Sequence, residues 1–360
     1  MENLLGRWFT KYFSDPEGVI LAVLLILGFT IVIFFGDMLA PVLASVVIAY
    51  LLEGIVRQLE SRGMNRFFAV IMVFLFFVTF LLFLFFGLVP LLSKQVAQLV
   101  QEIPNMVSEG QRTLLRLPEL YPHMFSEDQV KDIMSAIRSG LTEMGQGVLS
   151  FSLASISTLF TMLVYMVLLP VLVFFFMKDK KKIVDWVTQY MPKERGVSLR
   201  VWREMDRQIG NYVRGKFLEI MVVGVVSYVV FAFMGLNYAS LLGAAVGLSV
   251  VVPYIGAVVV TAPVLLIGFF QWGWSGDFAY LALAYLIIQA IDGNVLVPWL
   301  FSEAVNLHPI AIIIAILIFG GMWGFWGVFF AIPLATLVKA VLDAWPKVAD
   351  DVATSPASQV

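Results

Sequence analysis

Residues 217–338 run for 122 positions without a single lysine or arginine. The stretch is almost wholly apolar, yet it holds Glu219, Asp277, Asp292 and Glu303. A run this long and this apolar has to face hydrocarbon. A carboxylate placed there costs about 2.5–3.5 kcal/mol on insertion scales, so such acids mark function. Asp292 stands in Ile291-Asp-Gly-Asn-Val-Leu-Val-Pro298, where Gly293 and Pro298 disfavour an unbroken helix. An acid, an amide and broken backbone at membrane depth predict a transport site. Loosened carbonyls are tolerated there only when buried in protein or lining a polar cavity.

Apolar residues make up 61% of the chain and charged residues 13%, against about 45–50% and 25% in soluble domains. The chain is therefore read as an all-α polytopic membrane protein. It has no cysteine, which excludes disulfides, thiolate metal sites and cysteine nucleophiles. Its basic residues are clustered by topology and form no nucleic-acid patch. Arg7 and Lys11 precede the first apolar run, but no small-x-small cleavage site follows, so a signal peptide is not expected.

Apolar runs at 19–35, 38–52, 67–92 and 152–177 predict four spans. Eleven Lys/Arg fall in 178–216 against five in the longer segment 93–151. The positive-inside rule then puts both termini, 53–66 and 178–216 in the cytoplasm, with 93–151 outside. Residues 1–92 are taken as spans one to three of a scaffold, 93–151 as an external helical segment and 152–177 as span four. Residues 178–216 are taken as cytoplasmic amphipathic helices, 217–338 as the transport core and 339–360 as a tail. Pro104, Pro118 and Pro122 are expected to interrupt the external segment, where Ser126 and Gln129 could cap a helix.

Within the core, 239–252 is too short to cross alone and ends at Pro253, and 309–319 is short again before the Gly320-Gly-Met-Trp-Gly324 turn. The order predicts two re-entrant helical hairpins in an inverted-repeat-like core, with about eight to ten membrane segments in all. A ten-span bundle with short tilted helices is the plain alternative. The Gly243 and Gly247 pair and the Gly320 and Gly324 pair are read as close-packing contacts.

Weaker signals are set aside. Gly210-Asn-Tyr-Val-Arg-Gly-Lys216 resembles a phosphate-binding loop, but Phe217 stands where Ser or Thr would hold magnesium and no strand precedes it. No ATPase or other enzyme activity, cofactor or metal is predicted. His123 and His308 are too separated for a metal site, and His308 is expected to make a local hydrogen bond. Glu219 is read as a helix-start residue near the inner headgroups. Asp292 has a competing reading as the cap of a broken half-helix.

The segments Phe174-Phe-Phe-Met-Lys-Asp-Lys180, Asn211-Tyr-Val-Arg-Gly-Lys216, Val252-Pro-Tyr-Ile-Gly-Ala257 and Gln289-Ala-Ile-Asp-Gly-Asn-Val-Leu-Val-Pro298 form a set. Ser14-Asp-Pro-Glu17, Ser302-Glu-Ala-Val-Asn-Leu-His-Pro309 and the block from Phe319 to Pro333 complete it. Together they resemble the autoinducer-2 exporter family of bacterial inner-membrane transporters, in particular its PerM-type permeases. The resemblance implies a membrane homo-oligomer, with five subunits as the expectation, and a permease core in the C-terminal half. It implies export of a small polar solute such as an autoinducer-2-like molecule; Na+(Li+)/H+ antiport and a non-transporting envelope scaffold are the alternatives. The expected partners are membrane lipids and a small solute or monovalent cation, with no nucleic acid. The expected pathway residues are Asp292, Asn294, Gln289, Glu303 and Pro298. The expected tips and gates are Pro253, Tyr254, Gly256, Pro263, Gly320, Gly321, Gly324 and Pro333.

Overall fold

The computed structural model describes residues 16–115, 135, 155–189, 196–253, 255–301 and 307–344. Tyr254, Glu303, His123 and the Ser126–Gln129 capping signal lie outside them. Among the described residues every regular element is helical, as a chain that must satisfy its own backbone in lipid requires. The helices are α1 (Pro16–Ser61), α2 (Arg66–Phe83), α3 (Val89–Leu115), α4 (Ser155–Lys178), α5 (Lys180–Gln189) and α6 (Gly196–Phe233). They continue with α7 (Ala239–Ser249), α8 (Ile255–Trp272), α9 (Gly276–Ile291), α10 (Val297–Phe301) and α11 (Pro309–Ala344). Among the described residues five helices are long and apolar enough to cross a membrane: Met38–Ser61, Arg66–Ser108, Asp206–Phe233, Ile255–Trp272 and Gly276–Phe301. Their outward side chains, Phe76, Phe86, Tyr280 and Leu286 among them, are large and apolar, as a lipid-facing surface demands.

Four expectations are corrected. The runs at 19–35 and 38–52 do not turn back on each other. They form one 46-residue helix through Pro41, because a proline removes only one backbone donor and no glycine or polar turn follows it. Pro104 likewise lies inside α3 and does not end it, so the third span and the start of the segment expected outside form one continuous run of helix. The amphipathic stripe around Met205 and Ile209 does not end before the next span; stripe and span are one 38-residue helix, α6. Finally, the helix carrying Asp292 is unbroken: a five-residue π-helical turn, Asp292–Leu296, joins α9 to α10.

The chain divides into two compact units. One comprises residues 1–43, 179–215 and 299–360, the other residues 44–178 and 216–298. In the second unit there are two separate apolar clusters. Val56, Val70, Val73, Phe77, Val173 and Met177 bind α1, α2 and α4 together. Beside them the Arg66 guanidinium donates to both Glu53 carboxylate oxygens (3.2–3.3 Å), to Glu60 (3.2 Å) and to the Met177 carbonyl (3.1 Å). Val223, Phe231, Val246, Val264, Leu281 and Tyr285 form the other cluster, joining α6 to α9.

The crossing of α6 and α7 is set by glycine. A Cβ on Gly243 would stand 2.7 Å from the Tyr228 Cα, and one on Gly247 2.7 Å from the Gly224 Cα. These are the close contacts expected of that pair, made against α6. Helix α7, about 16 Å long, then doubles back through Pro253 into α8, where a Cβ on Gly256 would overlap the Ser249 carbonyl. In the first unit α11 reverses at Gly324, whose φ of 56° and ψ of −131° suit only glycine. The returning strand of helix comes so near that a Cβ on Gly327 would overlap the Phe319 carbonyl. Phe29 packs on Trp323 there, with ring centroids 5.4 Å apart.

Candidate functional site

The second unit buries a lysine and a glutamate and brings a half-buried aspartate near them. Lys216 and Glu219 are one turn apart on α6, 4% and 2% exposed, and their charged atoms meet at 2.6 Å. The Lys216 ammonium also donates to the Val250 carbonyl at 2.9 Å, where α7 ends. Asp292 lies within electrostatic reach of both. Its Oδ1 is buried with no hydrogen-bond partner. An acceptor left in that state costs about 1–3 kcal/mol, so it is poised for a proton, a cation or a donor on a solute.

The π-helical turn accounts for the placement of this acid. In it the Val297 amide reaches back five residues to the Asp292 carbonyl. The widened turn leaves the Ala290 carbonyl to the Asn294 side chain, which donates to it at 2.8 Å. Widened turns of this kind concentrate at functional sites. Ile291, which precedes the turn, gives it no side-chain cap.

Gln289 and Tyr285 continue from Asp292 along one face of α9. The Gln289 amide donates to the Tyr285 hydroxyl at 2.7 Å, and Tyr285 and Thr261 oxygens lie 3.1 Å apart. Thr261 donates to the Ala257 carbonyl at 2.6 Å. A polar thread therefore runs from Asp292, one turn on along α9, through the hydrogen-bonded chain of Gln289, Tyr285 and Thr261 to the Ala257 carbonyl.

Of the residues singled out in the sequence, Asp292 and Gln289 fall on this thread. Asn294 is exposed and supports the turn, and Pro298 is exposed inside α10. Pro253 and Gly256 shape the α7–α8 reversal, while Pro263 sits on the exposed face of α8. Gly324 makes the α11 reversal, with Gly320 half-buried beside Val328, Gly321 exposed and Pro333 buried. The His308 ring nitrogen accepts from the Ile310 amide at 3.3 Å, the local bond expected of it. Residues 210–216, the loop-like motif, are plain helix.

The reading of Glu219 as a headgroup residue is corrected: it is buried and paired. Lys216, named only within the loop-like motif, was not taken as a site residue, nor were Tyr285 and Thr261. The signal for the pair was present, since Lys216 is the last base before the charge-poor run and Glu219 lies one turn on. Nothing local to the sequence says that Asp292, more than seventy positions later, comes to meet them.

A polytopic helical bundle carrying buried acids and a buried base in its spans defines an integral membrane protein of the permease class. The profile of the AI-2E family transporters matches residues 20–347, and the chain belongs to that family. It is 47% identical over 346 residues, 96% of this chain and 98% of the relative, to “Putative permease PerM” of Escherichia coli (strain K12). It is 25% identical to “Putative transport protein YueF” of Bacillus subtilis (strain 168), over 86% of this chain and 84% of the relative.

Proposed function

We propose that this chain is a secondary transporter of the bacterial inner membrane that exports a small polar solute, an autoinducer-2-like molecule being one example. The observation that carries the reading is the buried Lys216–Glu219 pair set beside the unpartnered carboxylate oxygen of Asp292. Glu219 is neutralised by Lys216, so Asp292 is the acid free to exchange its proton or to receive a solute donor. Gln289, Tyr285 and Thr261 extend the polar path. The reversals at Pro253 and Gly324 serve as tips of re-entrant hairpins, and part of the exposed apolar belt is an interface in a homo-oligomer. Solute flux into proteoliposomes tests this: Asp292→Asn stops it, whereas undiminished flux removes Asp292 from the mechanism.

The buried Lys216–Glu219 pair within electrostatic reach of Asp292 also favours a second reading, Na+(Li+)/H+ antiport. There a cation and a proton compete for Asp292 with no organic substrate. Dye-quench assays in everted vesicles separate the two readings, since pH-linked sodium or lithium exchange belongs only to the second.

A further inference from the structure

Helix α3 carries an amide-rich face that the polar thread does not use. Gln95, Gln98, Glu102 and Asn105 recur at intervals of three, four and three, so they share one side, with Gln101 beside them. This side lines a cavity of about 610 Å³, within the roughly 300–1,000 Å³ of small-molecule sites. The opposite wall is the α6–α7 link and the end of α8, which supply Asn237, Tyr238, Phe270 and Gln271. About 25 Å of helix separates the start of α9, at this end, from Asp292, so the cavity and the buried ion cluster are distinct places.

The wall is tied down by its own polar groups. Gln95 Oε1 accepts from the Leu241 amide at 2.8 Å. Gln271 accepts from the Asn237 amide at 2.7 Å and donates to the Gly235 carbonyl at 2.8 Å. Tyr238 is held at φ 60°, the one non-glycine residue at positive φ among those described, and such strain gathers at ligand clamps. Gln98 and Gln101, by contrast, make no side-chain hydrogen bond among the described residues, and both line the cavity.

We infer that this cavity binds a small, uncharged, polyhydroxylated solute of the sugar or polyol class. An amide presents a donor and an acceptor together, which is what a hydroxyl complements. Among the described lining residues Glu102 is the one carboxylate and none is a base: Glu102 accepts from hydroxyls and repels anions. The amide N–H groups of Gln98 and Gln101 oppose a bare cation, which prefers an all-oxygen shell. The rings of Tyr238 and Phe270 offer flat faces to the C–H side of such a solute. The inference draws on the transporter reading only for its use in the cell; the binding itself needs no flux.

Isothermal titration of the purified full chain in detergent tests it, with D-glucose, D-ribose and sorbitol as neutral probes and choline chloride and sodium gluconate as charged ones. Saturable binding of at least one neutral probe is expected, at least tenfold weaker in Gln98→Leu/Gln101→Leu and within twofold of the parent in Glu53→Gln. No saturable neutral binding, tighter binding of a charged probe, or neutral binding that the double variant leaves intact overturns it. If the double variant does not fold by circular dichroism, the near-isosteric Glu102→Gln decides: a threefold or greater loss supports the site, and unchanged binding overturns it. Loss of flux in Asp292→Asn with neutral binding retained bears on the transport path alone, so the two failures are separable.

Discussion

Lys216 and Glu219 stand where a helix enters the charge-poor half of the chain, and neither is tolerable there without the other. Removing one partner of a buried pair leaves the second charge uncompensated, at about 3–5 kcal/mol. Lys216→Met is therefore expected to lower the thermal midpoint of the purified protein sharply, while Lys216→Met/Glu219→Leu regains most of the loss. Equal damage from the single and the double change would mean that the lysine acts through its bond to the Val250 carbonyl instead. Asp292 behaves differently. Its Oδ1 has no partner to lose, so Asp292→Asn should keep the thermal midpoint within a few degrees while flux is lost. A carboxylate that matters for transport and not for stability is the signature sought.

At the scale of elements, the π-helical turn at Asp292–Leu296 and the glycine reversals do the positioning. Deleting Gly293 removes the extra residue, returns the segment to α-helical pitch and closes the widened turn beside Asp292. Helix content by circular dichroism should be unchanged while transport falls to background; a deletion variant that still transports would make the widened turn incidental. Gly256→Ala sets a methyl group against the Ser249 carbonyl, a backbone clash that no rotamer relieves, so the α7–α8 reversal must open. The expected result is poor folding, read as a large fall in detergent-stable yield. Gly293→Ala meets no atom within 4 Å and serves as the matched control with near-parental yield.

At the scale of the whole molecule, the second unit keeps its structural and its polar tasks in different clusters. The Arg66 clamp on Glu53 and Met177 belongs to the α1, α2 and α4 cluster, apart from the thread through α8 and α9. A hydrogen bond to a charged group is worth about 1.5–3 kcal/mol. Glu53→Gln, which weakens the clamp, should lower the thermal midpoint by several degrees and leave the initial flux rate of the surviving protein unaltered. A change in solute selectivity in that variant would show that the two clusters are not independent.

Composition and periodicity alone made this a helical membrane protein and picked out Asp292, because hydrocarbon punishes a charge wherever it falls. They also located both reversals, since Pro253 fixes its own φ and Gly324, with no Cβ, admits a backbone conformation closed to other residues. The same local rules failed at Pro41, Pro104 and Gly293. There a helix loses at most one hydrogen bond or a little entropy, and packing against neighbours or a widened turn absorbs it. The approach of Asp292 to the Lys216–Glu219 pair, and the amide face of α3 opposite Tyr238, depend on which helices lie side by side. Only the folded chain decides that, because the contacts concerned join residues far apart in sequence and draw their energy from burial that no single segment has by itself.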